Sequence, residues 1–187
     1  MAGRNLFHES QPGIKMAGAS GPCVFIAHRK KDRDKAVEVG RIIKTADIDI
    51  YLDEDDKPLQ VADAVKDHQK VVEYIEAGLS KSTHFLGVIT DNTVGSWWVP
   101  FEFGMAKNVG LACAHLITKE VKELPSFIQV SRILCNDGLV VAWVESLRPF
   151  LKEATTGKLN QVLTELAVTL LPFLPQSRPL SDLKFVD

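Results

Sequence analysis

In this chain of 187 residues, short apolar runs alternate with segments that have the apolar periodicity of a helix, and this alternation constrains the fold more than any other feature of the sequence. Residues Cys23–Ala27, 85–90 and 111–118 are apolar at nearly every position, instead of alternating with polar residues. Such runs are typical of strands that are buried on both faces of a parallel sheet. Between them, apolar residues recur at the three- and four-residue spacing of a helix face. We therefore predict an α/β protein with an open parallel sheet of about five strands and helices on both faces.

The remaining predicted elements continue this alternation. Further strands are predicted at residues 48–52 and 132–135. A first helix is predicted to follow Asp32 and Asp34, either of which could be its N-cap, and further helices are predicted over residues 61–79, 97–109 and 140–150. The helix of residues 61–79 is expected to carry one continuous apolar stripe, formed by Val61, Val65, His68, Val72, Ile75 and Leu79.

Composition divides the chain into three regions. Residues 1–20 are rich in Gly, Ser, Ala, Gln and Pro without periodicity, and are predicted to be a flexible leader. Residues 21–150 form the predicted domain, and residues 151–187 a C-terminal helical extension. The apolar stripe of that helix, within residues 159–171, is expected to pack on the domain or to form a face for an oligomer or partner.

Charge and composition exclude several classes of protein. The chain has 22 basic and 24 acidic residues, a net charge of −2, whereas nucleic-acid binders normally carry a clustered basic excess. No apolar run approaches the roughly 18 residues of a membrane span, and the first residues lack the apolar region of a secretory signal. Cys23, Cys113 and Cys135 lie in apolar segments without paired spacing, which indicates reduced residues of a cytoplasmic protein. We expect no nucleic-acid, membrane or metal partner.

Open parallel sheets place their functional sites at the carboxyl ends of the strands. Four segments follow predicted strands and should therefore converge: residues 28–31, 53–56, 90–96 and the loop after Thr118.

The most informative of these regions is residues 96–106, where Glu102 is surrounded by tryptophan, phenylalanine, valine and methionine. Burial penalises a charged carboxylate, and a carboxylate held in such a cleft is a candidate functional group. Pro100 is expected in the first helical turn, where its missing N–H costs least. Trp98 and Glu102 would then share one side of the helix, and Trp98 could stack on a flat ring beside the acid. Trp97 is expected to point elsewhere and to contribute mainly to stability.

Other readings of these residues stay open at this stage. Glu102 could instead pair with an arginine while the tryptophans fill the core. The basic residues after the first strand, His28, Arg29 and Lys30, could hold a phosphate or simply be solvated. The acidic residues 53–56 could belong to the site or form a solvated turn.

The remaining histidines are predicted to be structural. His68 is expected on an apolar helix face, with His84 and His115 at strand edges, and none has metal-ligand spacing.

Four pieces of the sequence together resemble a known family. They are Val24-Phe25-Ile26-Ala27-His28 with Lys31 and Asp32; Ile50-Tyr51-Leu52-Asp53 followed by Leu59; residues 80–90; and Ser96-Trp97-Trp98-Val99-Pro100-Phe101-Glu102. In this order, over roughly residues 22–150, they resemble the TIR (Toll/interleukin-1 receptor) domain family. The resemblance implies a flavodoxin-like fold, with the mobile BB loop beginning near Asp53.

The resemblance also implies an activity. Many bacterial TIR domains are hydrolases that cleave NAD⁺ at the nicotinamide–ribose bond, with an essential glutamate that matches Glu102 here and an aromatic residue that matches Trp98. Arg29 and Lys30 match a basic pair near the substrate, and Asp55 matches an acid beyond the second strand. Ala27 stands where the family usually has Ser, which removes a hydroxyl near the site. Glu102 is the predicted catalytic residue, and the predicted substrate-binding set consists of Ala27, His28, Arg29, Lys30, Asp53, Asp55, Thr90, Ser96 and Trp98.

The chain is similar to the free-standing TIR subunit of Thoeris anti-phage defence systems. The implied function is an NAD⁺ hydrolase or ADP-ribosyl cyclase, with NAD⁺ as substrate and no cofactor. Its product would be ADP-ribose, cyclic ADP-ribose or a conjugate that serves as a nucleotide signal in antiviral defence. The implied partners are further copies of the chain, through TIR–TIR contacts, and a separate effector protein reached through the product. The alternatives are a non-catalytic TIR scaffold and a nucleoside deoxyribosyltransferase-like enzyme.

Overall fold

The computed structural model describes residues 21–52, 61–62, 64–148 and 184–186. Its strands are β1 (Cys23–Ala27), β2 (Asp49–Tyr51), β3 (His84–Ile89), β4 (Ala112–Ile117), β5 (Glu123–Pro125), β6 (Arg132–Leu134) and β7 (Lys184–Val186). Its α-helices are α1 (Arg33–Thr45), α2 (His68–Lys81), α3 (Trp98–Asn108) and α4 (Asp137–Ser146). The leader, the acidic segment 53–56 and the C-terminal helix of the sequence prediction lie outside the described residues.

Five strands form one sheet in the order β2–β1–β3–β4–β6, and every neighbouring pair is parallel. This order is that of flavodoxin-like folds. An aromatic row crosses the sheet because Phe25 of β1 pairs in register with Tyr51 of β2 and Phe85 of β3. The Phe25 ring stacks on both, with centroid distances of 5.2 Å and 6.0 Å. The predicted α/β class and parallel sheet are confirmed.

Helices cover both faces of the sheet, as predicted. On one face α1 and α4 pack on the strands, in a core cluster that includes Val24, Ile26, Val39, Ile43, Leu86, Leu116, Val140 and Val144. On the other face α2 and α3 do so, in a cluster that includes Phe25, Ala27, Tyr51, Val71, Ile75, Leu79, Phe85, Phe103 and Ala106. Within the described residues, no helix is long and apolar enough to span a membrane.

The single apolar stripe predicted over residues 61–79 is wrong. Val61 and Val65 are 62% and 68% exposed, and His68 is exposed as the first residue of α2. The cause is a break in the helical path, because Lys66 adopts a φ of +57°. The Asp67 side chain then caps a new helix by accepting a hydrogen bond from the backbone N–H of Lys70 at 3.2 Å.

A second, two-stranded sheet was not predicted. In it β5 pairs in parallel with β7, near the end of the chain, with Leu124 opposite Phe185. Phe185 packs against a third core cluster, composed of Ile89, Val99, Ile117, Val121, Leu124 and Ile128. This cluster lies at the carboxyl ends of β3 and β4, whose last residues are Ile89 and Ile117, and includes Val99 of α3.

Candidate functional site

Hydrogen bonds join the loops that follow β1 and β3. The Arg29 guanidinium donates through Nη1 to the backbone carbonyls of Asn92 and Val94, the latter at 3.2 Å. The Asn92 side-chain amide donates to Oδ1 of Asp32 at 2.7 Å. The predicted convergence of residues 28–31 and 90–96 is therefore confirmed.

The side chain of Asp32 connects two loops instead of capping α1, the role that its position suggests. It occupies the N-cap position of α1, but its side chain makes no capping hydrogen bond. The carboxylate is 6% exposed and is directed instead to Asn92, sixty residues further along the chain. Asp32 and Asn92 were not among the predicted site residues, although Asp32 belongs to the first piece of the TIR resemblance.

The segment between β3 and α3 is a turn that is held by hydrogen bonds between its side chains and its own backbone. The Thr90 hydroxyl accepts a hydrogen bond from the Asn92 backbone N–H at 2.9 Å, and the Thr93 hydroxyl accepts one from the Thr90 N–H at 3.0 Å. Gly95 adopts a φ of +77°, which residues with a side chain rarely adopt, and so turns the chain toward Ser96 and α3. This turn fixes the direction in which α3 enters the site.

Glu102 lies on the buried side of α3. Its exposure is 5%, and α3 also buries Val99, Phe103 and Ala106. Phe103 and Ala106 share a core cluster with Ala27, the last residue of β1, so α3 packs over the carboxyl end of that strand. Pro100 is the third residue of α3, in the first turn as predicted.

The two tryptophans do not fill the core. Trp98 is 40% exposed and meets Phe101, which is 41% exposed, edge to face at 5.8 Å. Trp97 is 89% exposed, so the prediction that it contributes mainly to stability is wrong: so little of its surface is buried that it adds almost no packing. Because α3 begins at Trp98, that residue and Glu102 lie about one turn apart on the same side of the helix, as expected.

The other predicted substrate-binding residues are distributed as follows. Ala27 is buried at the end of β1, and His28 and Arg29 are half-buried just after it. Lys30 is exposed and begins a short 3₁₀ turn, Lys30–Asp32. Asp53 and Asp55 lie outside the described residues.

Thr90 and Ser96 line a cavity of about 340 Å³ that the sequence did not predict. It lies between the turn after β3, the first half of α3 and residues 121–128, and Glu102 is not among the residues that line it. The loop after Thr118 therefore meets residues 90–96, as predicted.

His115 forms part of the cavity wall. It is 1% exposed, within β4 rather than at the edge position expected, and burial lowers its pKa to about 4. Its Nδ1 lies 2.6 Å from the Ser131 hydroxyl, which itself donates to the Ile128 carbonyl at 2.7 Å. Because that hydroxyl has a single hydrogen, Nδ1 is the donor, and the ring is neutral near pH 7.

Among the described residues, no group of three or more His, Cys, Asp or Glu side chains could hold a metal ion. Compared with models of known protein families, the chain matches none, and a search of curated proteins also finds no match.

Proposed function

We propose that this chain is a TIR-type NAD⁺ hydrolase or ADP-ribosyl cyclase that cleaves the nicotinamide–ribose bond. The observation that carries the proposal is the placement of Glu102. It is a 5% exposed carboxylate on α3, one turn from the half-exposed ring of Trp98, where α3 packs over the carboxyl end of β1. The flavodoxin-like strand order supports the proposal, because sites of such sheets lie at this edge.

The residues fit the chemistry of the reaction. The C1′–N bond breaks with its electron pair moving to the pyridinium nitrogen, so nicotinamide leaves neutral and needs no general acid. Positive charge develops on the ribose, and a carboxylate such as Glu102 stabilises it. Water then attacks C1′ and loses a proton to give ADP-ribose, or an adenine nitrogen attacks to give a cyclic product.

Two further side chains are assigned roles in binding. Trp98 offers a partly exposed aromatic face on which a flat ring stacks. Lys30 is exposed after β1 and meets the pyrophosphate, whereas Arg29 is first of all an anchor for the turn after β3. The proposed setting is cytoplasmic bacterial anti-phage defence, in which the nucleotide product activates a separate effector.

The test is to incubate the purified full chain with NAD⁺ and to identify products by liquid chromatography and mass spectrometry. Nicotinamide together with ADP-ribose or a cyclic isomer supports the proposal. NAD⁺ that stays intact at high protein concentration contradicts it. A parallel incubation supplies a deoxynucleoside and a different free base; exchange of the two bases with NAD⁺ intact identifies the deoxyribosyltransferase-like alternative.

The second candidate function is a TIR scaffold without catalysis. The observation that favours it is the exposure of Trp97, 89%, beside Val94 at 73% and the half-exposed Trp98. Large exposed apolar groups on one surface mark interaction sites. A scaffold would bind its partner equally well when Glu102 is replaced, whereas the enzyme would lose its activity, so this substitution distinguishes the two functions.

Trp98 and Trp97 form a matched pair for testing the stacking role. We expect Trp98→Ala to raise the KM for NAD⁺ about threefold to tenfold, the range that an aromatic stacking contact supplies. Trp97→Ala removes an indole of the same size one residue away, and should leave KM unchanged. Steady-state kinetics of both variants at one high protein concentration provide the measurement, and equal KM increases would contradict the assignment of Trp98.

The active form is expected to be a homo-oligomer, as the TIR resemblance implies. Glu102 is buried, but Trp98 and Lys30, the proposed substrate contacts, are exposed, so the substrate itself stays open to water until a neighbouring molecule covers it. Specific activity should therefore rise with protein concentration. A dilution series with the mass measured in solution checks this, and constant activity per molecule in a monomeric sample would contradict it.

A further inference from the structure

The cavity beside α3 extends from the protein surface into the core. At its rim Val94 is 73% exposed and Phe127 41% exposed, whereas at its floor His115 and Ile128 are each 1% exposed. Its volume of about 340 Å³ is far larger than the gaps of a close-packed interior. It falls instead in the range of small-molecule sites, roughly 300–1,000 Å³.

Its walls are mainly apolar and aromatic. The rings of Phe103 and Phe127 lie 6.0 Å apart with an interplanar angle of 28°, and His115 meets Phe103 edge to face at 4.7 Å. The other apolar lining residues are Ile89, Val94, Val99, Pro100, Val121, Pro125 and Ile128. Since an apolar cavity of about 150 Å³ accepts benzene, this one accommodates one or two rings.

The described lining residues offer no positive charge to an anion. The lining residues include the exposed Glu123 and the hydroxyl-bearing Thr90, Thr93 and Ser96, but among these described lining residues there is no lysine or arginine. His115 adds no positive charge near pH 7, because burial lowers its pKa to about 4. A phosphate would therefore find no cationic partner among the described lining residues, so these residues fit NAD⁺ itself poorly.

The cavity is also distinct from the proposed NAD⁺ site. Val99, Pro100 and Phe103 of α3 line it. Glu102 and Trp98 do not, because each residue of a helix is rotated by about 100° from the one before it. We propose that this cavity is a second binding site, which takes a neutral or cationic aromatic compound of one or two rings that bears a hydrogen-bond donor. The donor would be accepted by a hydroxyl oxygen of Thr90, Thr93 or Ser96.

Three probes that share one ring system test the charge preference. They are indole, which is neutral, tryptamine, which is cationic, and indole-3-acetate, which is anionic. By titration calorimetry on the full chain, indole and tryptamine should bind with Kd values on the order of 0.1–1 mM, typical of ligands this small. Indole-3-acetate should bind at least about tenfold more weakly than tryptamine. Equal or tighter binding of the anion, or no indole binding at 5 mM, about fivefold above the weakest expected Kd, would overturn the proposal.

Matched variants locate the binding. Phe127→Ala removes one aromatic wall and should weaken indole binding at least about fivefold. Phe101→Ala is the control, because Phe101 is equally exposed at 41% but does not line the cavity. Glu123→Lys should reverse the order of tryptamine and indole-3-acetate. Equal losses in the two phenylalanine variants, or an unchanged order with Glu123→Lys, would place binding elsewhere, and each readout is independent of NAD⁺ cleavage.

Discussion

Replacing Glu102 with Gln is expected to lower kcat/KM for NAD⁺ at least about 10³-fold, with the protein still folded. Gln has nearly the shape of Glu, so the packing of α3 over β1 is kept while the negative charge is lost. Glu102 is 5% exposed, and a charge in so dry a position acts on the ribosyl cation more strongly than it would in water. The loss should therefore fall mainly on kcat, since the charge that Glu102 stabilises exists only in the transition state.

The control for this variant is Glu76→Gln, the same chemical change on the exposed side of α2. Its nicotinamide release should equal that of the unmodified chain. Thermal unfolding of both variants shows whether the fold is kept. A Glu102→Gln protein that unfolds cooperatively and still releases nicotinamide at the original rate would exclude the catalytic role. Glu102→Asp adds a second check, because it keeps the charge but withdraws it by one methylene. Its activity should lie between that of the unmodified chain and that of Glu102→Gln.

The fold could be predicted because its signals are local. The apolar run Cys23–Ala27 is the observed β1, and Ala36, Val39 and Ile43 are all buried at the spacing expected of α1. Hydrophobic periodicity within about ten residues decides both. The same periodicity gave a wrong prediction over residues 61–79, because the positive φ of Lys66 interrupts the helix there. The spacing of apolar residues does not reveal such an interruption.

The parts of the site that were not predicted depend on contacts between distant residues. Asp32 bonds to Asn92 across sixty residues, and β5 pairs with β7 across about as many. The cavity arises where residues 89–96, α3 and residues 121–128 meet without filling the space. No spacing in a single sequence carries this information. Glu102 could be singled out because its unusual apolar surroundings are its own chain neighbours.

Replacing Gly87 with Ala is the substitution for which we expect the largest loss of stability. Its position in β3 lies opposite His115 in β4, and a Cβ atom added there would approach Cδ2 of His115 to 2.4 Å and Nε2 to 2.9 Å. The imidazole cannot easily withdraw, because Phe85 and Phe103 hold it edge to face and Ser131 holds its Nδ1. Gly87→Ala should therefore lower the free energy of unfolding by about 3 kcal/mol, the upper range for overpacking a core.

A double-mutant cycle identifies the clash as the cause. His115→Ala is itself destabilising, because it opens a cavity and removes the Nδ1 hydrogen bond, but it also clears the space above Gly87. Adding Gly87→Ala to that variant should cost less than about 1 kcal/mol, so the two changes couple by about 2 kcal/mol. Gly104→Ala is the matched control: a Cβ at Gly104 meets nothing within 4 Å in the middle of α3, and should stabilise the protein slightly. Urea unfolding of the four proteins of the cycle gives the coupling. If the two costs are simply additive, His115 does not explain why β3 carries a glycine at this position, and the requirement for Gly87 lies in the backbone of the strand itself.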